Sequence, residues 1–152
     1  MGACAQKFSP PPEVGADISV DELIAILAPL KCGTTISYDA IYTPLSKSDV
    51  ANFMQFNTNL KYIKERYDCD DFSYSLVARV REWAYSAKGE GGIAFGIVSG
   101  NLRLTEDAPN RPHAVCFMID VDKKIWLVDG MWNSMLAYPE DCKWMTFDTY
   151  QL

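Results

Sequence analysis

The chain has 152 residues, 49% of them apolar, which suffices for one domain with its own core. Its net charge of −6 excludes nucleic acid as a default partner, because phosphate binding rests on clustered lysine and arginine. The five cysteines (Cys4, Cys32, Cys69, Cys116 and Cys142) include no CxxC pair, which argues against a zinc site; a chain of this size is not expected to need a disulfide framework, and a single bridge stays open. No stretch approaches the ~20 apolar residues that span a membrane. The N-terminus lacks a hydrophobic signal core, and Gln6 stands where a myristoylation signal prefers Ser or Thr. A cytoplasmic location is therefore the default expectation.

Residues 1–17 are proline-rich and read as an irregular arm ahead of a single domain over 18–152. Ser19-Val20-Asp21-Glu22 is a capping box. It opens a short helix with Leu23, Ile24, Ile26 and Leu27 as its apolar face, stopped near Pro29. Residues 30–47 mix Gly, Thr and Pro and read as loop with a short strand. A second helix is expected from Ser48 to Glu65, with Phe53, Phe56, Leu60 and Ile63 at spacings of three and four. A third follows Cys69, with Phe72, Leu76, Val80 and Trp83 on one face and an end at Lys88-Gly89. The pattern then changes to strands: "GIAFGIVSG", "HAVCFMIDV", "KIWLVDG" and the last piece "KWMTFDTY". Helices first and strands second predict an α+β fold, with helices packed on an antiparallel sheet.

Three residue types needed for thiol chemistry recur at suggestive places. Cys69 stands at a helix start, where free N–H groups and the helix dipole favour an anion. His113, the single histidine, begins a strand, and Asp129 ends the next one. An imidazole can activate the thiol, and a carboxylate can fix the imidazole's tautomer and orientation. Strand alternation sets a condition. If the connection has an odd number of residues, as 120–124 does, Ile119 pairs with Ile125 and His113 becomes a diagonal neighbour of Asp129 on one face. An even connection separates the two.

Asp68, Asp70 and Asp71 crowd Cys69 and disfavour a thiolate unless something offsets them. Hard oxygens at close spacing suit calcium, which takes six to eight of them. The bland alternative is that Asp70 and Asp71 are first-turn residues that complement the helix dipole. Trp83, Trp126, Trp132 and Trp144 are expected to pack in the core or at its rim, with Trp132 near enough to Asp129 to line a cleft. Cys116 and Cys142 are expected to be buried thiols, and Asp120 to Lys124 a solvated turn. Gly91 and Gly92 read as a loop and not a phosphate cradle.

The segments "YDCDDFSYSL", "HAVCFMID" and "IWLVDG" together resemble the papain-like and transglutaminase-like cysteine peptidase group. The similarity is to bacterial transglutaminase-like cysteine proteinases and to the protease domain of calcium-dependent fungal agglutinins. It covers residues 60–132. The resemblance implies a cysteine helix packed on an antiparallel sheet, with Cys69 as nucleophile, His113 as base and Asp129 as its orienting acid. It also implies calcium held by Asp68, Asp70 and Asp71. The expected activity is that of a calcium-dependent cysteine peptidase or amidase acting on a protein or peptide through an acyl-enzyme. Calcium use would favour an extracytoplasmic site. Acyl transfer to an amine, or a metal-stabilised binding or structural module without catalysis, remain open alternatives. An oxyanion donor besides the Cys69 N–H is expected on chemical grounds, with Gln55, Asn57 and Asn59 as weak candidates.

Overall fold

The Ser19 hydroxyl accepts the Glu22 N–H at 3.2 Å, so the first helix opens where the sequence places its cap. The computed structural model describes residues 10–37, 39–57, 68–87, 90–103, 107, 109, 111–142 and 145–152. In chain order the elements are β1 (Ile18–Ser19), α1 (Val20–Leu27), a 3-10 turn (Ala28–Leu30), β2 (Thr34–Ile36), β3 (Ile41–Thr43), α2 (Lys47–Asn57) and α3 (Cys69–Ala84). Six strands follow: β4 (Gly92–Ile93), β5 (Phe95–Leu102), β6 (Arg111–Ile119), β7 (Ile125–Asp129), β8 (Ser134–Tyr138) and β9 (Thr146–Gln151). The class is α+β. No described helix is long and apolar enough to cross a membrane.

The main sheet has the order β2-β9-β5-β6-β7-β8, and a small one has the order β1-β3-β4. Pairing is antiparallel except for β2 with β9 and β3 with β4, which run parallel and depart from the expected antiparallel sheet. Two apolar layers form because alternate residues of the central strands point to opposite faces. On one face Val115, Phe117, Ile119, Ile125 and Leu127 pack with Leu23 and Leu27 of α1. On the other, Cys116, Met118 and Val128 pack with Leu76, Val77 and Val80 of α3 and with Val50, Phe53 and Met54 of α2.

Several elements differ from the sequence expectation. The second helix is described only to Asn57, and residues 58–67, with Leu60 and Ile63, lie outside the described residues. Its buried stripe is Val50, Phe53 and Met54, and this leaves Phe56 69% exposed. In α1, Ile24 is exposed because Leu23 and Leu27, one turn apart, take the core side. The third helix ends at Ala84, and a turn follows over 85–87. Residues 88 and 89 lie outside the described set.

β8 was not expected. It is a half-buried edge strand that opens on Ser134 opposite Asp129. Residues 10–17 carry an isolated bridge between Val14 and Leu45, and the Trp83 indole donates to the Pro10 carbonyl at 2.8 Å. Trp83 is buried and stacks on Phe53, with ring centroids 4.5 Å apart. The turn at 120–124 is solvated over 121–124, but Asp120 is buried, because three donors converge on its carboxylate.

Candidate active site

The helix that carries Cys69 is set by its cap. Asp68 has extended backbone, and its N–H donates to the Asp71 carboxylate at 3.4 Å in a capping box. Cys69 is the first helical residue and is half-buried. Its N–H belongs to the first turn, whose donors have no partner within the helix. The Ser73 hydroxyl lies 2.8 Å from the Cys69 carbonyl and 3.2 Å from the Ala114 carbonyl, and shares one proton between them. The Cys116 thiol donates to the Ser73 carbonyl at 3.4 Å. These bonds tie the start of α3 to Ala114 and Cys116 in β6. Through the shared Ser73 hydroxyl, the Cys69 carbonyl lies beside that of Ala114, the residue after His113.

The imidazole is placed by strand register. Ile119 pairs with Ile125 across the five-residue connection, and Cys116 pairs with Val128. Continuing that register puts Val115 opposite Asp129 and His113 diagonal to it. His113 Nε2 lies 2.9 Å from Asp129 Oδ2, with the two side chains 12% and 18% exposed. The other carboxylate oxygen, Oδ1, accepts the Met131 N–H at 2.9 Å and the Trp132 N–H at 3.2 Å. An ionised carboxylate only accepts, so the hydrogen bond assigns the imidazole proton to Nε2. Nδ1 is then the basic nitrogen of the neutral ring. Among the described residues, no hydrogen bond joins the Cys69 thiol to this ring.

The acidic cluster divides unequally. Carboxylate oxygens of Asp68 and Asp70 and the Cys69 sulfur lie within 4.8 Å of one another. A hydrogen bond with the Asp68 side chain holds the Asp70 carboxyl below its usual range; burial opposes this, and nearby backbone N–H groups add to it. Asp71 is turned back to the cap. Two carboxylates fall short of the six to eight oxygens calcium takes, and the thiol between them is a soft donor. Waters and an Asp71 released from its cap would have to complete such a site.

A cleft opens beside the imidazole. His113, Asp129, Trp132, Leu136, Met145 and Phe147 line it together with Val115, Leu127 and Ser134, around a cavity of about 70 Å³. These residues belong to the face of the sheet that packs against α1, and Cys69 is not among them. Two positions that make the site were not singled out from sequence. One is Ser73, which ties the cysteine helix to the histidine strand. The other is Gly100, which pairs with both His113 and Phe147 and lets the β9 backbone approach closely. A Cβ there would collide with the Thr146 carbonyl and come 2.6 Å from the Phe147 Cα. An isolated glycine inside a strand was the available signal. Gln55, an oxyanion candidate, is exposed on α2; the Asn57 side chain and Asn59 lie outside the described residues.

No family model matches the chain, and no curated protein sequence matches it. A solved structure, the PSL1a-E64 complex, superposes with a TM-score of 0.69 at 16% sequence identity. The match covers 90% of this chain and 51% of that one, so this chain spans about half the length of the structure it resembles. At that identity the likeness is one of fold.

Proposed function

We propose that the chain is a cysteine peptidase or amidase of papain-like, transglutaminase-like type, working through an acyl-enzyme. The observation that carries this reading is the His113–Asp129 bond at 2.9 Å, made through Nε2, which leaves Nδ1 as the basic nitrogen at the end of the sheet where the Cys69 helix begins. In this reading Nδ1 takes the Cys69 proton, and the sulfur attacks a peptide or amide carbonyl. The imidazolium then gives its proton to the departing nitrogen as the C–N bond breaks. Water, deprotonated by the same nitrogen, adds to the thioester and releases the acid and the thiol. Asp129 holds the ring and stabilises its charged form. The Cys69 N–H is the proposed oxyanion donor. The fold likeness gives secondary support, since E64 is a cysteine protease inhibitor and PSL1a is found in complex with it.

Calcium belongs to the same proposal. Asp68 and Asp70 would hold the ion, and its charge would offset the carboxylates beside the sulfur. No step above runs through it. A melting temperature raised by calcium over magnesium, and lowered by chelator, is the expected outcome.

A second reading is favoured by one observation: no thiol–imidazole hydrogen bond is made among the described residues. On that reading the constellation stabilises a binding module. Catalytic hydrogen bonds in ligand-free enzymes are often long, so the first reading keeps precedence. The test is cleavage of a casein or peptide-library substrate by the purified chain, with and without calcium, with Cys69→Ala as control. Cleavage by the wild type alone is expected. Equal activity in both would remove Cys69 from the chemistry, and a product mass carrying an added amine would point to acyl transfer.

A further inference from the structure

We infer that the cleft beside His113 receives the side chain of the leaving group, the residue that follows the scissile bond, and selects a large apolar one there. This rests on the acyl-enzyme reading above. That reading requires the imidazole to deliver its proton to the departing nitrogen. The nitrogen must therefore come within hydrogen-bond reach of the ring. The acyl part, by contrast, is bonded to Cys69. The cleft is lined by His113 and Asp129 but not by Cys69, and it lies on the sheet face away from the cysteine helix. Its position places it on the departing side of the bond.

The lining sets the chemistry of the occupant. Val115, Leu127, Trp132, Leu136, Met145 and Phe147 are apolar, and among the described residues no lysine or arginine lines the cleft to pair an acidic side chain. The carboxylate among the lining residues, Asp129, already accepts from the His113 ring through Oδ2 and from two backbone N–H groups through Oδ1, so it is committed to holding the ring. A charged group buried there would lose its water without return. Gly100 lies between His113 and Phe147 in the row across β6, β5 and β9, and backbone crowding excludes any side chain from that position. Ser134 keeps the β8 side low, opposite Asp129.

The experiment is a peptide library cut by the full chain, with new N-termini identified by mass spectrometry. Leu, Met and Phe at the new N-terminus should exceed Asp and Lys by about tenfold or more. Ser134→Phe, which fills the cleft from β8, should reduce that preference by about tenfold while peptides with Ala at the position are still cut. Cleavage by the wild type without preference at the new N-terminus, or with preference only before the cut, overturns the inference and leaves the peptidase reading standing. A chain that cuts nothing overturns both. The library result on the wild type decides the matter even if Ser134→Phe fails to fold.

Discussion

The two ends of the β6–β7 hairpin carry the same hydrogen-bonding device with different consequences. At the turn, Asp120 accepts the Asp122 and Lys124 N–H groups through Oδ1, each at 2.9 Å, and the Trp126 indole N–H through Oδ2 at 2.6 Å. At the open end, Asp129 accepts the Met131 and Trp132 N–H groups through Oδ1 and the His113 ring through Oδ2. In both, one oxygen holds a turn and the other holds an aromatic ring. The indole has a single nitrogen, which donates and does not titrate near neutrality. The Lys47 ammonium covers its ring, 3.6 Å from the centroid, and Asp120 is buried. The imidazole has a second nitrogen, and its end of the hairpin meets the start of the cysteine helix. The carboxylate motif alone therefore does not make a site; the ring it orients decides between structure and chemistry.

Variants at the two ends should separate those roles. The largest effect is expected for Cys69→Ala, with peptide cleavage falling by more than about 10³-fold. Its melting temperature should stay near that of the wild type, because the side chain is only half-buried; a thermal scan beside the cleavage assay checks both. Next comes Asp129→Asn, which keeps the shape but lets the wrong ring tautomer form. Activity should fall by about 10³-fold, mainly in kcat. Asp120→Asn should do the reverse, leaving kcat near wild type and costing about 1–3 kcal/mol in urea unfolding, since a buried acceptor for three donors is weakened. If Asp120→Asn lowered kcat as much as Asp129→Asn, the contrast between the ends would fail. Trp126→Phe should cost about 1 kcal/mol, the indole hydrogen bond alone.

One further effect is shared by both ends. Burial first, then the Asp141 and Glu140 charges, push the Cys142 thiol from 9.0 up to about 12. The unfolded chain gives up that proton first, so this contribution to stability is complete below pH 9 and is lost as pH rises toward 12. Melting temperatures at pH 8 and pH 10.5 should show the loss equally in the wild type and both Asn variants, and Cys142→Ala should reduce it.

The parts of this architecture visible in sequence are those governed by local rules. Ser19 announced the first helix through its cap, and Phe72, Leu76, Val80 and Trp83 announced the third by spacing; all four are buried. The five residues between Ile119 and Ile125 fixed the strand parity, and with it the meeting of His113 and Asp129. Long-range pairings left no such mark. β2 pairs in parallel with β9, more than a hundred residues away, and neither segment signals the other. β8, "SMLAY", lacks β-branched residues and forms an edge, so its pattern is weak. The Asp120 turn read as solvated because charge suggested it, whereas three converging donors bury its first residue. Among the acidic residues, spacing could not reveal that Asp71 serves the cap while Asp68 and Asp70 flank the sulfur.

The claim that underlies all of this is that His113 makes the Cys69 sulfur a nucleophile. The direct measurement is the rate at which iodoacetamide modifies Cys69 at pH 7, followed by peptide mass spectrometry, in the wild type and in His113→Ala. The account predicts that the Cys69 rate falls by about tenfold or more when the imidazole is removed. Equal rates in the two proteins would contradict it.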